Sequence, residues 1–222
     1  MAEAIIRTEN LTKTFVLGTE KVTALNDVSI SVEKGQICAV LGTSGSGKST
    51  LLNMLAGLER PTSGSVYIGR HRIDKMTERE LTLFRQKFTG FVFQSYNLIP
   101  SLTALENVAM PLMFKGVGKQ EREARALEML RLVGLENRKN HRPFEMSGGQ
   151  QQRVGIARAF VSNPRVIFAD EPTGNLDSET TKNVMQLVCG LVHENNSTMI
   201  LVTHDNGVAE FADKIITIIN GK

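Results

Sequence analysis

The chain has 222 residues, which is enough for one α/β domain with a sizeable core. Its hydrophobic fraction of 41% and charged fraction of 22% are typical of soluble globular proteins. A formal net charge of +3 without a block rich in lysine and arginine argues against a nucleic-acid surface, and the short basic cluster at 138–142 is interpreted as a solvated loop.

Nothing in the sequence predicts a membrane span. The longest apolar runs are strand-sized, far below the ~18 residues that cross a bilayer. The start, Met1-Ala2-Glu3-Ala4, lacks the basic and apolar regions of a signal peptide. We therefore expect a cytoplasmic chain that reaches a membrane only through a partner. The two cysteines, Cys38 and Cys189, lie in apolar patterns far apart, which predicts buried reduced thiols.

The first 35 residues alternate apolar and polar side chains between turn signals, which predicts antiparallel strands. An apolar run over 36–41 predicts a buried strand, followed by a glycine-rich turn and a helix from about Gly47 to Gly57. Residues 65–73 are predicted to form another strand. The strand predicted over residues 90–93 ends at Gln94.

From about Thr103 to Asn140 the pattern is helical and is clearest over 119–133. Beyond it, helices at about 150–162 and 178–194 alternate with strands at about 165–170, 198–203 and 214–219. This alternation predicts a mostly parallel sheet with helices on both faces, in which ligands bind beyond the carboxyl ends of the strands. Residues 1–222 then form one domain, with a helical subdomain inserted at about 95–148.

A phosphate-binding loop is the strongest single signal. It follows the predicted apolar strand and opens a helix as Gly42-Thr43-Ser44-Gly45-Ser46-Gly47-Lys48-Ser49, with Thr50 next. Glycines let the backbone aim successive N–H groups at phosphate oxygens, and the helix N-terminus adds its positive dipole end. Lys48 is expected to reach the β- and γ-phosphates of a nucleoside triphosphate and Ser49 to bind Mg²⁺. This loop alone does not distinguish a kinase, a GTPase, a helicase or a transporter motor.

Two carboxylates end the apolar strand at about 165–170. Asp170 is a candidate ligand of Mg²⁺, and Glu171 can polarise the attacking water as general base. The alternative is a polar turn before Pro172, which the phosphate loop on the same sheet makes the weaker interpretation.

Two further polar residues follow predicted core strands. His204 is expected to contact the γ-phosphate, although a lone histidine is more often structural. Gln94 can touch Mg²⁺ or the water at the start of the helical insertion. The remaining histidines, His71, His141 and His193, have no such setting and are predicted to lie on the surface.

A second anion site is predicted where Met146-Ser147-Gly148-Gly149-Gln150 opens another helix. Its first N–H groups are unpaired and the helix dipole favours a negative charge. The site is redundant, because one phosphate loop already serves one nucleotide.

With these motifs in this order, the whole chain resembles the ABC ATPase superfamily. The resemblance implies a P-loop NTPase (RecA-like) α/β fold with a mostly parallel core sheet, an N-terminal antiparallel β subdomain and an inserted α-helical subdomain. It also implies head-to-tail dimers in which residues 147–150 of one copy complete the ATP site of the other. Phe15 then stacks on adenine, where tyrosine is frequent, and Asp177 belongs to the D-loop between the copies.

Residues 91–100, Asn107-Val108 and 170–177 resemble a narrower group, the ABC subunits of lipoprotein release and macrolide export. Members of that group work on the inner face of the membrane and drive a transmembrane permease, which in most of them is a separate chain. The cargo stays open, as does export against mechanical signalling.

Two other classes are weaker interpretations. A soluble ABC ATPase acting on DNA or ribosomes carries two ATPase units or a long coiled-coil insertion, and this chain has one set of motifs. A P-loop kinase of small molecules leaves residues 146–150 and His204 unexplained.

Overall fold

A computed structural model describes residues 4–222. Residues 1–3, on which most of the signal-peptide argument rests, lie outside that part. Within it, no helix combines the length and apolar character needed to span a bilayer.

Within residues 4–222, ten strands form two sheets. In chain order they are β1 (Ala4–Leu17), β2 (Glu20–Val28), β3 (Ser31–Glu33), β4 (Ile37–Leu41), β5 (Ser63–Ile68), β6 (His71–Arg72), β7 (Thr89–Phe93), β8 (Val166–Asp170), β9 (Thr198–Thr203) and β10 (Lys214–Thr217).

The described part of the chain also contains seven α-helices. These are α1 (Lys48–Leu55), α2 (Glu78–Phe88), α3 (Ala104–Phe114), α4 (Lys119–Leu132), α5 (Gly148–Phe160), α6 (Ser178–Glu194) and α7 (Asn206–Ala209). Short 3₁₀ turns lie at Ile73–Lys75, Glu136–Arg138 and Pro143–Glu145.

The core sheet is parallel throughout and has the strand order β10-β4-β9-β8-β7. Successive side chains of a strand face opposite sides, so each core strand feeds two hydrophobic clusters. Ile37 and Ala39 of β4 pack with helices α3 to α6, whereas Cys38 and Val40 pack with α1, α2 and the N-terminal sheet. That second sheet is antiparallel and joins β1 to β2, β3 and β5. The predicted α/β architecture is confirmed.

Differences from the predicted elements are local. The strand predicted over 65–73 is a hairpin, because Gly69 turns the chain with a φ of 56° and β6 pairs back on β5. Helix α2 was not predicted. Its signal is a capping box in which Thr77 accepts from the Glu80 N–H while Glu80 accepts from the Thr77 N–H.

Both thiols are free, as predicted. Cys38 is buried, and that burial raises the pKa of its thiol to about 11. Cys189 is only half-buried, and burial raises the pKa of its thiol as well. His71 and His193 are exposed as predicted, whereas His141 is half-buried and contacts Arg138.

A buried amide fixes the segment that leads into α3. Asn107 is fully buried, and its Oδ1 accepts from the Ile99 N–H at 2.8 Å. Its Nδ2 lies within 3.2 Å of the carbonyl oxygens of Ile99, Leu102 and Thr103. One side chain thus satisfies backbone groups that would otherwise be buried without partners.

We expect Asn107→Ala to lower the free energy of unfolding by about 2–4 kcal/mol, because it leaves those backbone groups unpaired. Urea unfolding followed by circular dichroism measures the change. Asn137→Ala is the control, since Asn137 is exposed. A loss for Asn107→Ala no larger than for the control would contradict the assignment.

Candidate functional site

The phosphate loop joins the buried strand β4 to helix α1. Gly47 has a φ of 104°, and a Cβ there would lie 2.4 Å from the Ala24 carbonyl oxygen. Only glycine fits a backbone so close to another strand. Gly42 is equally confined, since its Cβ would lie 2.5 Å from the Ile218 carbonyl oxygen. Residues 42–47 are thus held in a tight turn above the sheet, and Thr50 lies in the first turn of α1.

The loop carries polar groups that suit a phosphorylated ligand. The Lys48 side chain is 5% exposed, and its Nζ donates to the Thr43 carbonyl at 2.8 Å. Ser46 Oγ is buried with no hydrogen-bond partner among the described residues. A buried cation and an unpaired hydroxyl are costly without a ligand, and both suit phosphate oxygens. These residues fit the phosphates of ATP.

Asp170 ends β8 beside the phosphate loop. Its Oδ1 accepts a hydrogen bond of 3.3 Å from Ser49 Oγ. Burial raises the pKa of the Asp170 carboxyl, and the neighbouring Glu171 adds to the rise, while the Ser49 hydrogen bond and the Lys48 charge oppose it. Hydroxyl and carboxylate oxygens are hard ligands of the kind that Mg²⁺ prefers, so the donor set fits that ion.

Glu171 and His204 form a pair at the ends of adjacent strands. Glu171 has a left-handed φ of 42°, and its N–H donates to the Val202 carbonyl at 3.0 Å. Its Oε1 lies 3.0 Å from His204 Nδ1. Glu171 therefore has a strained backbone at the point where its carboxylate contacts His204. Such strain is often found at sites that hold a reacting group.

Gln94 lies close to the same carboxylate. A Cβ on Gly174 would be 2.7 Å from Gln94 Nε2 and 3.4 Å from Glu171 Oε2, so both side chains border Gly174. The Gln94 carbonyl also accepts from Asn175 Nδ2 at 3.0 Å. The structure therefore brings Gln94, Glu171 and His204 together, as the strand-end argument predicts.

An open cleft of about 730 Å³ lies over this edge of the sheet. It is lined by residues 42–44, by Glu171 and His204, and by residues 217–219 after β10. None of residues 147–150 lines it. The start of that second predicted anion site thus forms no part of the wall of this cleft.

That second site lies at the start of α5. Ser147 is exposed and caps the helix, accepting from the Gln150 N–H at 3.3 Å, while Gln150 Oε1 accepts from the Ser147 N–H. Gly148 and Gly149 form the first turn. A Cβ on Gly148 would be 2.8 Å from the Tyr96 hydroxyl. The helix end is thus capped, outward-facing and packed against the segment that follows Gln94.

A buried arginine ties α5 to that same segment. Arg158 donates to the carbonyls of Tyr96 and Asn97, both of which have left-handed backbones. Burial lowers the pKa of the Arg158 guanidinium. Through this contact the helix of Ser147 and the loop of Gln94 are mechanically connected.

Phe15 and Asp177 are likewise not among the residues that line the cleft. Phe15 is a half-buried residue of β1, and Lys13 Nζ lies 4.8 Å from its ring centre. Asp177 caps α6 by accepting from Thr180 N at 2.9 Å and from Thr180 Oγ1 at 2.7 Å. The backbone hydrogen bond from Thr180 lowers the pKa of the Asp177 carboxyl most. Within one chain, Asp177 therefore stabilises the N-terminus of α6.

One contact of the phosphate loop has no signal in the sequence. Gly221 donates its N–H to the Ser46 carbonyl at 3.1 Å and accepts from the Asn26 N–H at 2.7 Å. Its φ is 77°, and a Cβ there would lie 2.7 Å from the Ala24 carbonyl oxygen. The turn after β10 thus supports the phosphate loop against β2.

We expect Gly221→Ala to weaken nucleotide binding about fivefold to tenfold. Left-handed strain costs about 1–2 kcal/mol, and the new methyl displaces the turn that supports Ser46. Titration with a fluorescent ATP analogue measures the dissociation constant. Gly190→Ala is the matched control, because nothing lies within 4 Å of a Cβ at Gly190. Equal affinities for both variants would contradict this role.

The chain is similar to several known proteins. The family model for "ABC transporter" matches residues 25–174. An uncharacterized ABC transporter ATP-binding protein of Methanocaldococcus jannaschii, MJ0796, is 48% identical over 98% of this chain and 94% of its own length. A solved dimeric structure of MJ0796 bound to ADP and Pi superposes with a TM-score of 0.90 at 46% identity, covering 97% of this chain and 95% of that one.

Two named export systems are also similar. The lipoprotein-releasing system ATP-binding protein LolD of Chromohalobacter salexigens is 44% identical over 99% of this chain and 93% of its own length. The macrolide export ATP-binding/permease protein MacB of Vibrio parahaemolyticus is 44% identical over the whole chain, which spans 34% of MacB. The chain therefore belongs to the ABC transporter family, and within it is an ATP-binding cassette that hydrolyses ATP.

Proposed function

We propose that the chain is one half of a head-to-tail homodimer that hydrolyses two ATP to drive a separate membrane permease. The observation that carries the proposal is the outward-facing Ser147 site, which lies outside the cleft of its own chain. A second phosphate site that its own nucleotide does not use is explained when another copy supplies the nucleotide.

In this proposal ATP lies over the phosphate loop with its phosphates on the N–H groups of Gly42-Thr43-Ser44-Gly45-Ser46-Gly47 and on Lys48, Ser49 and Thr50. Phe15 lies against adenine with its apolar ring. Ser49, Asp170 and Gln94 hold Mg²⁺, which when bound neutralises charge on the β- and γ-phosphates. Burial raises the pKa of the Asp170 carboxyl. A bound cation would oppose that rise, because it favours the charged carboxylate.

Glu171 acts as general base on the attacking water, with His204 contacting the γ-phosphate. The hydrogen bond of 3.0 Å between the two side chains supports this, because it holds the carboxylate at the cleft wall. Gln94 borders the same carboxylate through Gly174 and orients the water. Arg158 of α5 donates to the Tyr96 carbonyl in the loop that follows Gln94, so a movement of α5 would also move Gln94.

The second copy is proposed to present Ser147 and the backbone N–H of Gly149 to the γ-phosphate, with Gly148 and Gln150 beside them. The exposed end of α5 supports this, as does the dimeric form named for the solved MJ0796 structures. Asp177 lies near this contact between copies while it continues to cap α6.

The permease is proposed to contact a helical subdomain at about 95–148, where α3 and α4 lie between β7 and α5. Support comes from the names of the relatives, since MacB is an ATP-binding/permease protein and LolD belongs to a lipoprotein-releasing system. The chain would then work at the cytoplasmic face of the membrane. Its mild net charge of +3 gives no support to a nucleic-acid partner.

We expect Glu171→Gln to trap an ATP-bound homodimer. The amide removes the base but keeps an oxygen beside His204, so ATP binds and is not cleaved. Size-exclusion chromatography with and without ATP and Mg²⁺ should give a dimer and a monomer, respectively. Glu179→Gln, in the exposed first turn of α6, is the control and should keep hydrolysis. A monomer in both runs of Glu171→Gln would count against the dimer.

We expect Ser147→Arg to abolish ATP hydrolysis while the isolated chain binds ATP with unchanged affinity. The change blocks the site offered to a second copy and leaves the chain's own cleft intact. Because it also removes a helix cap, worth about 1 kcal/mol, Thr77→Arg is the matched control at the capping box of α2. Loss of ATP binding by Ser147→Arg would overturn the assignment across the dimer.

A further inference from the structure

A second cleft, of about 590 Å³, opens at the opposite edge of the core sheet. Lys34 precedes β4, Arg165 directly precedes β8, and Asn195 and Asn196 precede β9. These are the amino ends of parallel strands, whereas the phosphate loop and His204 follow the carboxyl ends. With strands of five or six residues, the two edges are about 16–20 Å apart. This amino-end cleft is therefore independent of the ATP site.

Positive charge dominates the amino-end cleft. Lys34, Arg70 and Arg165 line it, and among residues 4–222 no aspartate or glutamate does. All three are exposed, and within residues 4–222 none of their side chains forms a salt bridge or hydrogen bond. Three such charges around one concave surface favour a dianion over a single carboxylate.

The floor of the cleft is aromatic. His71, Phe84 and Phe88 pack together with ring centres 5.0–5.4 Å apart. Phe84 is buried, but Phe88 is half-buried and His71 is exposed, so part of this aromatic floor faces the cleft. The Arg165 guanidinium lies 5.3 Å from the Phe88 ring centre. Because this guanidinium lies over the Phe88 ring, His71 is the exposed aromatic surface of the cleft.

We propose that the amino-end cleft binds a phosphorylated molecule that carries a flat ring, with the phosphate on Arg70, Lys34 and Arg165 and the ring on His71. Its volume lies within the range of ordinary small-molecule sites, about 300–1,000 Å³. Arginine forks match phosphate oxygens in pairs, and an exposed aromatic face accepts another ring. Asn195 and Asn196 provide amide groups at the rim.

The test is a titration of ¹⁵N-labelled full-length protein with AMP, with adenosine and inorganic phosphate as separate arms. The backbone N–H groups of Gly69 and Asn195 report on the amino-end cleft, and those of Gly45 and Gly47 report on the phosphate loop. AMP should shift Gly69 and Asn195 in a saturable manner. Adenosine and phosphate should each need at least about tenfold higher concentrations, because each lacks half of the contacts.

The double variant Arg70→Glu/Arg165→Glu should raise the AMP midpoint at Gly69 at least about tenfold and leave the midpoint at Gly47 unchanged. Arg79→Glu/Lys21→Glu makes the same change in net charge at exposed positions outside the cleft and should leave both midpoints unchanged. Three results would overturn the proposal. These are shifts confined to the phosphate loop, equal midpoints for AMP and phosphate at Gly69, and an AMP midpoint that both double variants leave unaltered.

Discussion

The register of the parallel core sheet is the constraint on which the ATP site depends. Leu41 pairs with Thr203, Asp170 pairs with Val202, and Phe93 pairs with Asp170. Four strands therefore end at one level, and the residues that follow them leave the sheet side by side: Gly42, Gln94, Glu171 and His204. A slip of one residue would exchange the two faces of a strand and place its apolar side chains against the wrong cluster. The hydrophobic clusters on both faces thus fix the positions of the polar groups at the edge.

The edge combines several features that are unfavourable in the free chain. Ser46 Oγ is buried without a partner, Lys48 is buried, and Glu171 has a left-handed backbone. Burial also opposes the charged form of Asp170. Each feature lowers stability in the free chain, and each would be offset by a bound phosphate or divalent cation. The free chain is therefore least stabilised by its own contacts at the residues where the nucleotide is expected to bind.

A structural element can be predicted from the sequence when the contacts that form it join residues close together in the chain. Strand β9 and helix α6 have their predicted bounds, because continuous apolar runs and regular periodicity are local properties. Helix α2 has few apolar residues, with only Leu81 and Phe84 buried, and its capping box is a weaker signal. The motif residues around Lys48 and Glu171 were found because strand, loop and helix are consecutive there.

Other features have no local signal. The contact of Gly221 with Ser46 joins residues that are distant in sequence, and nothing near either one indicates it. The amino-end cleft likewise draws its cations from separate segments, so no cluster of lysine and arginine marks it. The place of Ser147 in a dimer depends on a second chain, which periodicity within one chain cannot describe.

The support that Gly221 gives to the phosphate loop also has a consequence for synthesis. Ser46 leaves the ribosome long before Gly221, and until then its carbonyl lacks the backbone N–H that holds it. β10 also pairs with β4, so the strand leading into the loop is likewise incomplete until residues 214–217 have been made. A nascent chain therefore displays the whole phosphate motif well before the loop has its final shape. Nucleotide affinity should develop only after Gly221 has left the ribosome.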